Sequence, residues 1–417
     1  YNHFFSHEYM VQIQNCRLCH SENFEVFLKL GTMPLAGNFL KKEDVGKENA
    51  YPLDVCFCKN CGSVQVLEMI PRDTFFRDYR YLSSVTAKSV LEHFKTYASE
   101  IKERFLPNGG FVLEVACNDG ILLEPLKNLE LNVLGVDPAK NITKIAKGKG
   151  LDVIDDYFGL DLSKQILEKY DKANVIVGNA VFAHVDDLND ILLGVKNLLK
   201  DDGVFIFEVN YMGDMIDELQ YDVIYHEHTM YHSVLALKKF LEQYDMQIFD
   251  VKHLGIRGGT IRIYSSFKNT HFEVSNNVQS FIDLELQKGY DKLETFKNFA
   301  KKCEEHKSEI LNLLHDLKKQ GKKIIGYGMS GRGNTMLNYW QVSTNIIDYG
   351  IDASPERYGR FVPGMHIPIK SPQPMIDIDY VLLLAWIFAD DIIEKEHGFV
   401  ENGGKFIIPF PKPHFSP

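Results

Sequence analysis

Two CxxC pairs, Cys16-Arg-Leu-Cys19 and Cys58-Lys-Asn-Cys61, stand within the first 61 residues, and five of the seven cysteines fall there. Each pair is followed by a short turn, His20-Ser21 and Gly62-Ser63. This spacing lets a tight knuckle aim two thiolates at one tetrahedral Zn²⁺. Four protein ligands leave no open position, so the centre is expected to be structural, closing the ends of a strand-like, proline-punctuated lobe over 20–57. A redox dithiol fits less well, because a lone redox CxxC opens a helix after a strand. Cys56 lies two residues before Cys58 on a strand-like run and reads as a spare ligand or a small buried side chain.

A zinc knuckle organises tens of residues, and this chain has 417, which at roughly 150 per domain makes two or three domains. With 46 Lys+Arg against 57 Asp+Glu, the net charge of −11 argues against a surface built for nucleic acid or anionic lipid. No apolar run approaches the roughly 18 to 20 residues of a membrane span, and the start, YNHFFSHEYMVQ, lacks a signal-peptide pattern. The expectation is a soluble, cytoplasmic monomer acting on a small molecule, although residue 1 is Tyr.

The middle of the chain has a βαβ rhythm. Apolar residues at spacings of three and four between Val85 and Phe105 make an amphipathic helix, stopped by Pro107-Asn-Gly-Gly110. Phe111–Val115 is then a buried strand, Ala116-Cys-Asn-Asp-Gly120 a small-residue turn, and Ile121–Leu126 a helical run. Asn132–Asp137 is a second strand ending in a carboxylate, where a ribose diol would be held. Further strands are expected at Leu151–Ile154, Asn174–Gly178 and Gly203–Val209. The fold class is α/β, a parallel sheet covered on both faces. The first turn lacks both GxGxxG and the Lys-Ser/Thr of a phosphate loop, so an adenosine ligand without phosphate suits it.

A long helical stretch from Val278 to Leu317 connects to Lys322–Gly331, a strand running into a literal GxGxxG, with Asp352 further on. Alone, this is a dinucleotide fingerprint and supports a nicotinamide-dependent oxidoreductase. Arg332-Gly-Asn334-Thr335 extends the loop with a cation and polar side chains that suit a diphosphate at a helix N-terminus equally well.

Glu114-Val-Ala-Cys-Asn-Asp-Gly120 with Gly135-Val-Asp-Pro138 resembles the first two motifs of class I S-adenosylmethionine-dependent methyltransferases. More narrowly, the two CxxC pairs, Tyr79-Arg-Tyr-Leu-Ser-Ser84, His184, Tyr225-His-Glu-His228, Gly326-Tyr-Gly328 and Gly333-Asn-Thr335 resemble the deoxysugar C-methyltransferases that methylate C-3 of nucleotide-linked 4-keto sugars. The resemblance implies a zinc-binding domain at 1–75, a methyltransferase domain at 76–275 and a Rossmann-like domain at 276–417 that contributes to nucleotide-sugar binding. The chain departs from the family at Ala116, where glycine is usual, at Arg257-Gly-Gly-Thr260, and at Met329-Ser-Gly-Arg-Gly333.

Carbon methylation needs a base beside a carbonyl, donors at its oxygen and a dry site. The resemblance implies His228 as base, Tyr225 and Glu227 binding or polarising the sugar, His184 near the keto oxygen, and Tyr81 or Tyr79 on a sugar hydroxyl. It also implies a cofactor site from Glu114, Ala116, Asn118, Asp119, Gly120, Asp137, Pro138 and Asn179, and acceptor contacts from Gly328, Arg332, Asn334, Thr335 and Arg257. If the tetrad is extended, Tyr225 and Glu227 face one way and the histidines the other, whereas a turn would bring Glu227 and His228 together. A catalytic metal is disfavoured because Met230 stands where HExxH needs its second His. A non-catalytic, zinc-stabilised S-adenosylmethionine-binding module is the remaining reading.

Overall fold

The computed structural model describes residues 11–76, 88–185, 187–256 and 258–416. The N-terminal strands β1 (Phe24–Pro34), β2 (Ala50–Cys58) and β3 (Val64–Val66) form an antiparallel meander. Its fourth strand comes from far along the chain: Met230–Tyr231 pairs antiparallel with β3, Met230 opposite Gln65 and Tyr231 opposite Val64. The segment just after the Tyr-His-Glu-His tetrad is thus part of the N-terminal sheet.

The middle sheet has seven strands: β4 (Phe111–Val115), β5 (Asn132–Val136), β6 (Val153–Ile154), β7 (Ala173–Asn179), β8 (Leu199–Asn210), β9 (Met246–Leu254) and β10 (Thr260–Phe267), ordered β6-β5-β4-β7-β8-β10-β9. The first five are parallel, while β10 runs antiparallel to β8 and β9 to β10. Helices on both faces explain why β4 reads as an almost continuous apolar run. The order reverses between β4 and β7, so the ligand crevice opens at their C-terminal ends. The third strand is shorter than expected and the fifth longer.

The helical stretch predicted over 278–317 is two helices, Asn276–Gln287 and α2 (Leu293–Lys319), with α1 (Lys88–Phe105) earlier in the chain. Gly289, at φ +71°, ends the first helix: its N–H donates to Leu286 O and the next N–H, of Tyr290, donates to Glu285 O, satisfying carbonyls that would otherwise be orphaned. Periodicity alone hides this stop, because the apolar spacing resumes after it. The 27 residues of α2 span about 40 Å and bury one stripe, including Phe296, Phe299, Cys303, Ile310 and Leu314. Phe296 stacks on Phe57 of β2, with ring centroids 4.8 Å apart.

The C-terminal sheet comprises β11 (Ile324–Tyr327), β12 (Gly350–Ile351), β13 (Ile369–Lys370), β14 (Tyr380–Leu383), β15 (Lys405–Ile408) and β16 (His414–Ser416), ordered β13-β12-β11-β14-β15-β16. All but β16 are parallel, and α3 (Gly331–Trp340) follows β11. One core runs from the N-terminal sheet through α2 into this lobe; another joins Cys16, Cys58 and Cys61 to Leu113, Ile176 and Phe207 of the middle sheet. The N-terminal module is therefore a wedge packed against both larger lobes. Among the described residues, no helix is long and apolar enough to cross a membrane.

Candidate active site

The two knuckles share one hydrogen-bond pattern. Cys16 N–H donates to Ser21 O and His20 N–H to Cys16 O; Cys58 N–H donates to Ser63 O and Gly62 N–H to Cys58 O. They bring the sulfurs of Cys16, Cys19, Cys58 and Cys61 within 4.8 Å of one another. The Cys16–Cys61 and Cys19–Cys58 separations are 3.6 Å, against about 3.8 Å for the edge of a tetrahedron with Zn–S of ~2.3 Å. Gln65 Nε2–H and Asn60 Nδ2–H donate to the sulfurs of Cys16 and Cys19 at 3.2 and 3.3 Å. The donor set fits a structural zinc ion. Cys56 is buried outside this cluster, and burial pushes its thiol up to about 12.

A cavity of about 400 Å³ lies between the crevice of the middle sheet and the C-terminal lobe. On the first wall stand Glu114, Ala116, Asn118, Asp137, Pro138 and Asn179. Asp137, at the end of β5, is fixed by two backbone donors: Asn118 N–H to Oδ2 (3.0 Å) and Ala139 N–H to Oδ1 (2.9 Å). Burial raises its pKa. A carboxylate offers about four lone-pair sites, so two remain for a diol. Burial likewise pushes the Glu114 carboxyl well above the usual range, although Asn179 Nδ2–H donates to its Oε1 (3.3 Å). Glu114 Oε2 and Asn179 Oδ1 are buried with no hydrogen-bond partner among the described residues. Acceptors left open on a cavity wall fit the ammonium and ribose hydroxyls of S-adenosylmethionine. Asp119 and Gly120 belong to the turn but do not line the cavity; Asp119 is buried, its carboxylate 4.0 Å from Lys149. Ala116 holds φ +57°, a left-handed conformation suited to glycine.

The Tyr225–His228 tetrad is a turn, closed by His228 N–H donating to Tyr225 O (2.8 Å). It brings Tyr225 and His228 together rather than Glu227 and His228: Tyr225 Oη lies 2.7 Å from His228 Nε2. His228 Nδ1 lies 2.8 Å from Val223 O, and a carbonyl only accepts, so the proton is on Nδ1 and Nε2 accepts from the tyrosine. Burial, then the neighbouring His184, holds the His228 pKa well below the usual value, so the ring is neutral at pH 7. His184 Nδ1–H similarly donates to Glu227 O (2.8 Å), and its ring sits 4.7 Å from that of His228. Tyr225, His228 and His184 all line the cavity. Glu227 points elsewhere, its Oε1 3.0 Å from where a Cβ on Gly37 would stand, and burial pushes its carboxyl up to about 7. His226 is buried, with Nε2 2.9 Å from Pro52 O. Tyr79, Tyr81 and Arg257 lie outside the described residues.

Gly328 makes the turn after β11 at φ +81°, where a Cβ would come within 2.3 Å of Ala385 Cβ, and it does not itself line the cavity; Ser330 and Gly331 beyond it stand on the opposite wall. Arg332 lines the cavity, but Asp222 takes its fork: Nε donates to Oδ2 (2.7 Å) and Nη2 to Oδ1 (3.0 Å). Asn334 and Thr335 are buried and do not line it. Asn334 Nδ2–H donates to Ala36 O (3.2 Å) and Thr335 Oγ1–H to Gly331 O (3.4 Å), so both hold the helix and its neighbour in place. The dinucleotide reading fails on Asp352, which accepts from Ser354 N–H (2.8 Å) and from Arg357 Nη1 (2.9 Å) and does not line the cavity. Sequence reasoning missed Arg72, Tyr157, Arg357 and Trp386 as lining residues. Tyr157 stands three residues after the end of the third strand at Ile154, which was the signal for it; the others are brought in by tertiary packing.

Three family descriptions match successive parts of the chain. Residues 16–76 match the family described as "Putative zinc binding domain", 88–251 "Methyltransferase domain", and 255–411 "C-methyltransferase C-terminal domain". Joined in one chain with a crevice suited to S-adenosylmethionine, they make this an S-adenosylmethionine-dependent C-methyltransferase. The chain is 33% identical over 405 residues to the C-methyltransferase NovU of Streptomyces niveus, covering 96% of each, and it belongs to that family. Similarity to the ubiquinone biosynthesis O-methyltransferase of Bartonella quintana, 30% over 102 residues, covers 24% of this chain and 41% of that protein. The solved magnesium protoporphyrin IX methyltransferase of Synechocystis PCC 6803 is 12% identical with a TM-score of 0.34, covering 42% of this chain and 79% of that one.

Proposed function

We propose that the enzyme methylates the carbon next to the ketone of a nucleotide-linked 4-keto deoxysugar, at C-3, with His228 as base. The observation that carries this reading is the neutral His228, its Nε2 lone pair facing the Tyr225 hydroxyl at 2.7 Å on the wall of the cavity that Asp137 also lines. His228 Nε2 takes the proton from the sugar carbon, with Nδ1–H anchored on Val223 O throughout. The Tyr225 O–H turns from Nε2 to the sugar's keto oxygen, where negative charge develops. His184 stands beside that oxygen, able to donate from Nε2 when protonated. Tyr81 or Tyr79 contacts a sugar hydroxyl, whereas Glu227, turned toward Gly37 and away from the cavity, does not. Glu114, Asp137 and Asn179 hold S-adenosylmethionine, which when bound supplies an electrophilic methyl group. The labour is divided among domains 1–75, 76–275 and 276–417.

Base and methyl transfer can be separated by supplying S-adenosylhomocysteine in deuterated water with a panel of nucleotide-linked 4-keto sugars, and reading deuterium at the carbon by mass spectrometry. His228→Asn should lower exchange and turnover by about 10²- to 10⁴-fold while keeping both affinities. His184→Asn should slow exchange only in part. Near wild-type exchange in His228→Asn would place the base elsewhere, with Tyr225 next in line.

A further inference from the structure

The charged side chains around the cavity sort by wall. Glu114, Asp137 and Asp156 stand on the side of the middle sheet, and Arg332 and Arg357 on the side of the C-terminal lobe. The third arginine on the lining, Arg72, lies over the Tyr157 ring at 3.9 Å, on the acidic side. A ligand spanning the cavity therefore meets two of these three arginines at the C-terminal lobe.

The two arginines there differ in what they have left to offer. Arg332 gives Nε and Nη2 to the two oxygens of fully buried Asp222, and Nη2 also reaches Gln220 Oε1 at 3.2 Å. Among the described residues the Arg357 side chain makes one hydrogen bond, Nη1 to Asp352 Oδ2 at 2.9 Å, while its guanidinium sits 5.0 Å from the centroid of the Phe39 ring. Asp352 is itself fixed by Ser354 N–H. An arginine has five N–H donors in a rigid fork, so Arg357 is oriented on two sides and keeps its Nε and Nη2 donors without a partner among the described residues. Ser330 and Gly331, at the head of the ten-residue helix α3, lie on the same wall and add the positive end of a helix.

We propose that Arg357 is the residue that grips the phosphate groups of the methyl acceptor, with Asp352 as its positioning residue, and that Arg332 is a structural cation. This rests on the reading of the acceptor as nucleotide-linked. The carboxylate that a dinucleotide fold would turn to a ribose here aims an arginine at an anion instead.

Calorimetric titration of the full chain with TDP, UDP, GDP, CDP, ADP and inorganic pyrophosphate, and separately with S-adenosylmethionine, tests the assignment. Wild type should bind at least one nucleoside diphosphate. Arg357→Gln should weaken that diphosphate by about 10- to 150-fold, the loss of charge-assisted hydrogen bonds, and leave S-adenosylmethionine affinity unchanged. In turnover the same variant should raise the acceptor KM with little change in kcat. Arg357→Lys, which keeps the charge without the fork, should recover part of the affinity, and Asp352→Asn should fall between. Unchanged diphosphate affinity in Arg357→Gln overturns the assignment while leaving the proposed reaction standing. So does an equal loss of S-adenosylmethionine affinity, which would mark Arg357 as a fold residue. A wild type that binds S-adenosylmethionine but no diphosphate refutes the nucleotide-linked acceptor itself.

Discussion

Tyr225→Phe removes one oxygen and leaves the ring that packs on His228, with centroids 4.0 Å apart. In the free enzyme that oxygen donates to His228 Nε2 at 2.7 Å, a neutral hydrogen bond with a net contribution of about 1 kcal/mol. In the transition state the same O–H is assigned to the developing enolate oxygen, where removal of one such donor costs about 3 to 4 kcal/mol. The difference, about 2 to 3 kcal/mol, corresponds to a fall in kcat/KM of about 30- to 200-fold. A pH profile adds a sign. The hydroxyl favours the unprotonated Nε2, so its loss should move the acidic limb of the profile upward, from a wild-type position well below 6.5 set by burial. Stability should follow the same group: its folded-state pKa is depressed, so the unfolded chain binds more protons below about 6.5. Its contribution to stability is complete above that pH and is lost as pH falls toward the folded-state pKa. The assay is solvent-exchange and methyl-transfer rates across pH on the same preparations. A variant as fast as wild type, or faster because Nε2 is now uncovered, would refute the reasoning.

Three further outcomes follow from the geometry. Cys58→Ser should abolish stoichiometric zinc and lower the unfolding midpoint far more than Cys56→Ser, as metal analysis and thermal melts will show, because binding energy at a closed site is folding energy. Asp137→Ala should weaken S-adenosylmethionine by about 1 to 3 kcal/mol in calorimetry, and also destabilise the fold by orphaning the Asn118 and Ala139 N–H groups. Ala116→Gly should relieve about 1 to 2 kcal/mol of left-handed strain. It would give back about 0.4 to 1 kcal/mol through a more flexible unfolded chain, so urea unfolding should show equal or greater stability.

The parts of the fold set by local chemistry were legible: the CxxC spacing fixes a tetrahedral cluster, and the β4–turn–β5 unit is written in an apolar run, small residues and a terminal Asp137. The orientation of the tetrad was not, because alternation along an extended strand and an i to i+3 turn are equally compatible with Tyr-His-Glu-His. The turn is chosen by contacts to Val223, Ala183 and the N-terminal sheet. Gly326-Tyr-Gly328-Met-Ser-Gly331 encodes the shape of a strand-to-helix turn and nothing about what sits there. The proposed occupant, a diphosphate, rests on Arg357, which the parallel pairing of β11 with β12 carries to the same edge.

With His228 and His184 in their proposed roles, the zinc module has a part in placing them. Thr229, one residue after His228, donates its N–H to Ala183 O (2.6 Å), and its Oγ1–H reaches Ala183 O and Val185 O (3.2 and 3.1 Å), on either side of His184. Its own carbonyl accepts from Val66 N–H of β3 at 2.9 Å, and the next two residues continue the N-terminal sheet. The 4.7 Å between the two imidazoles is thus set by the register of a sheet whose β2 ends at Cys58 and whose β3 begins three residues after Cys61. Cys16, Cys19, Cys58 and Cys61 would hold a zinc ion, which would clamp that register from outside the cavity. Proton transfer is sensitive to placement on the scale of an ångström, so a rigid clamp outside the cavity preserves the geometry while the cavity itself stays open to exchange ligands.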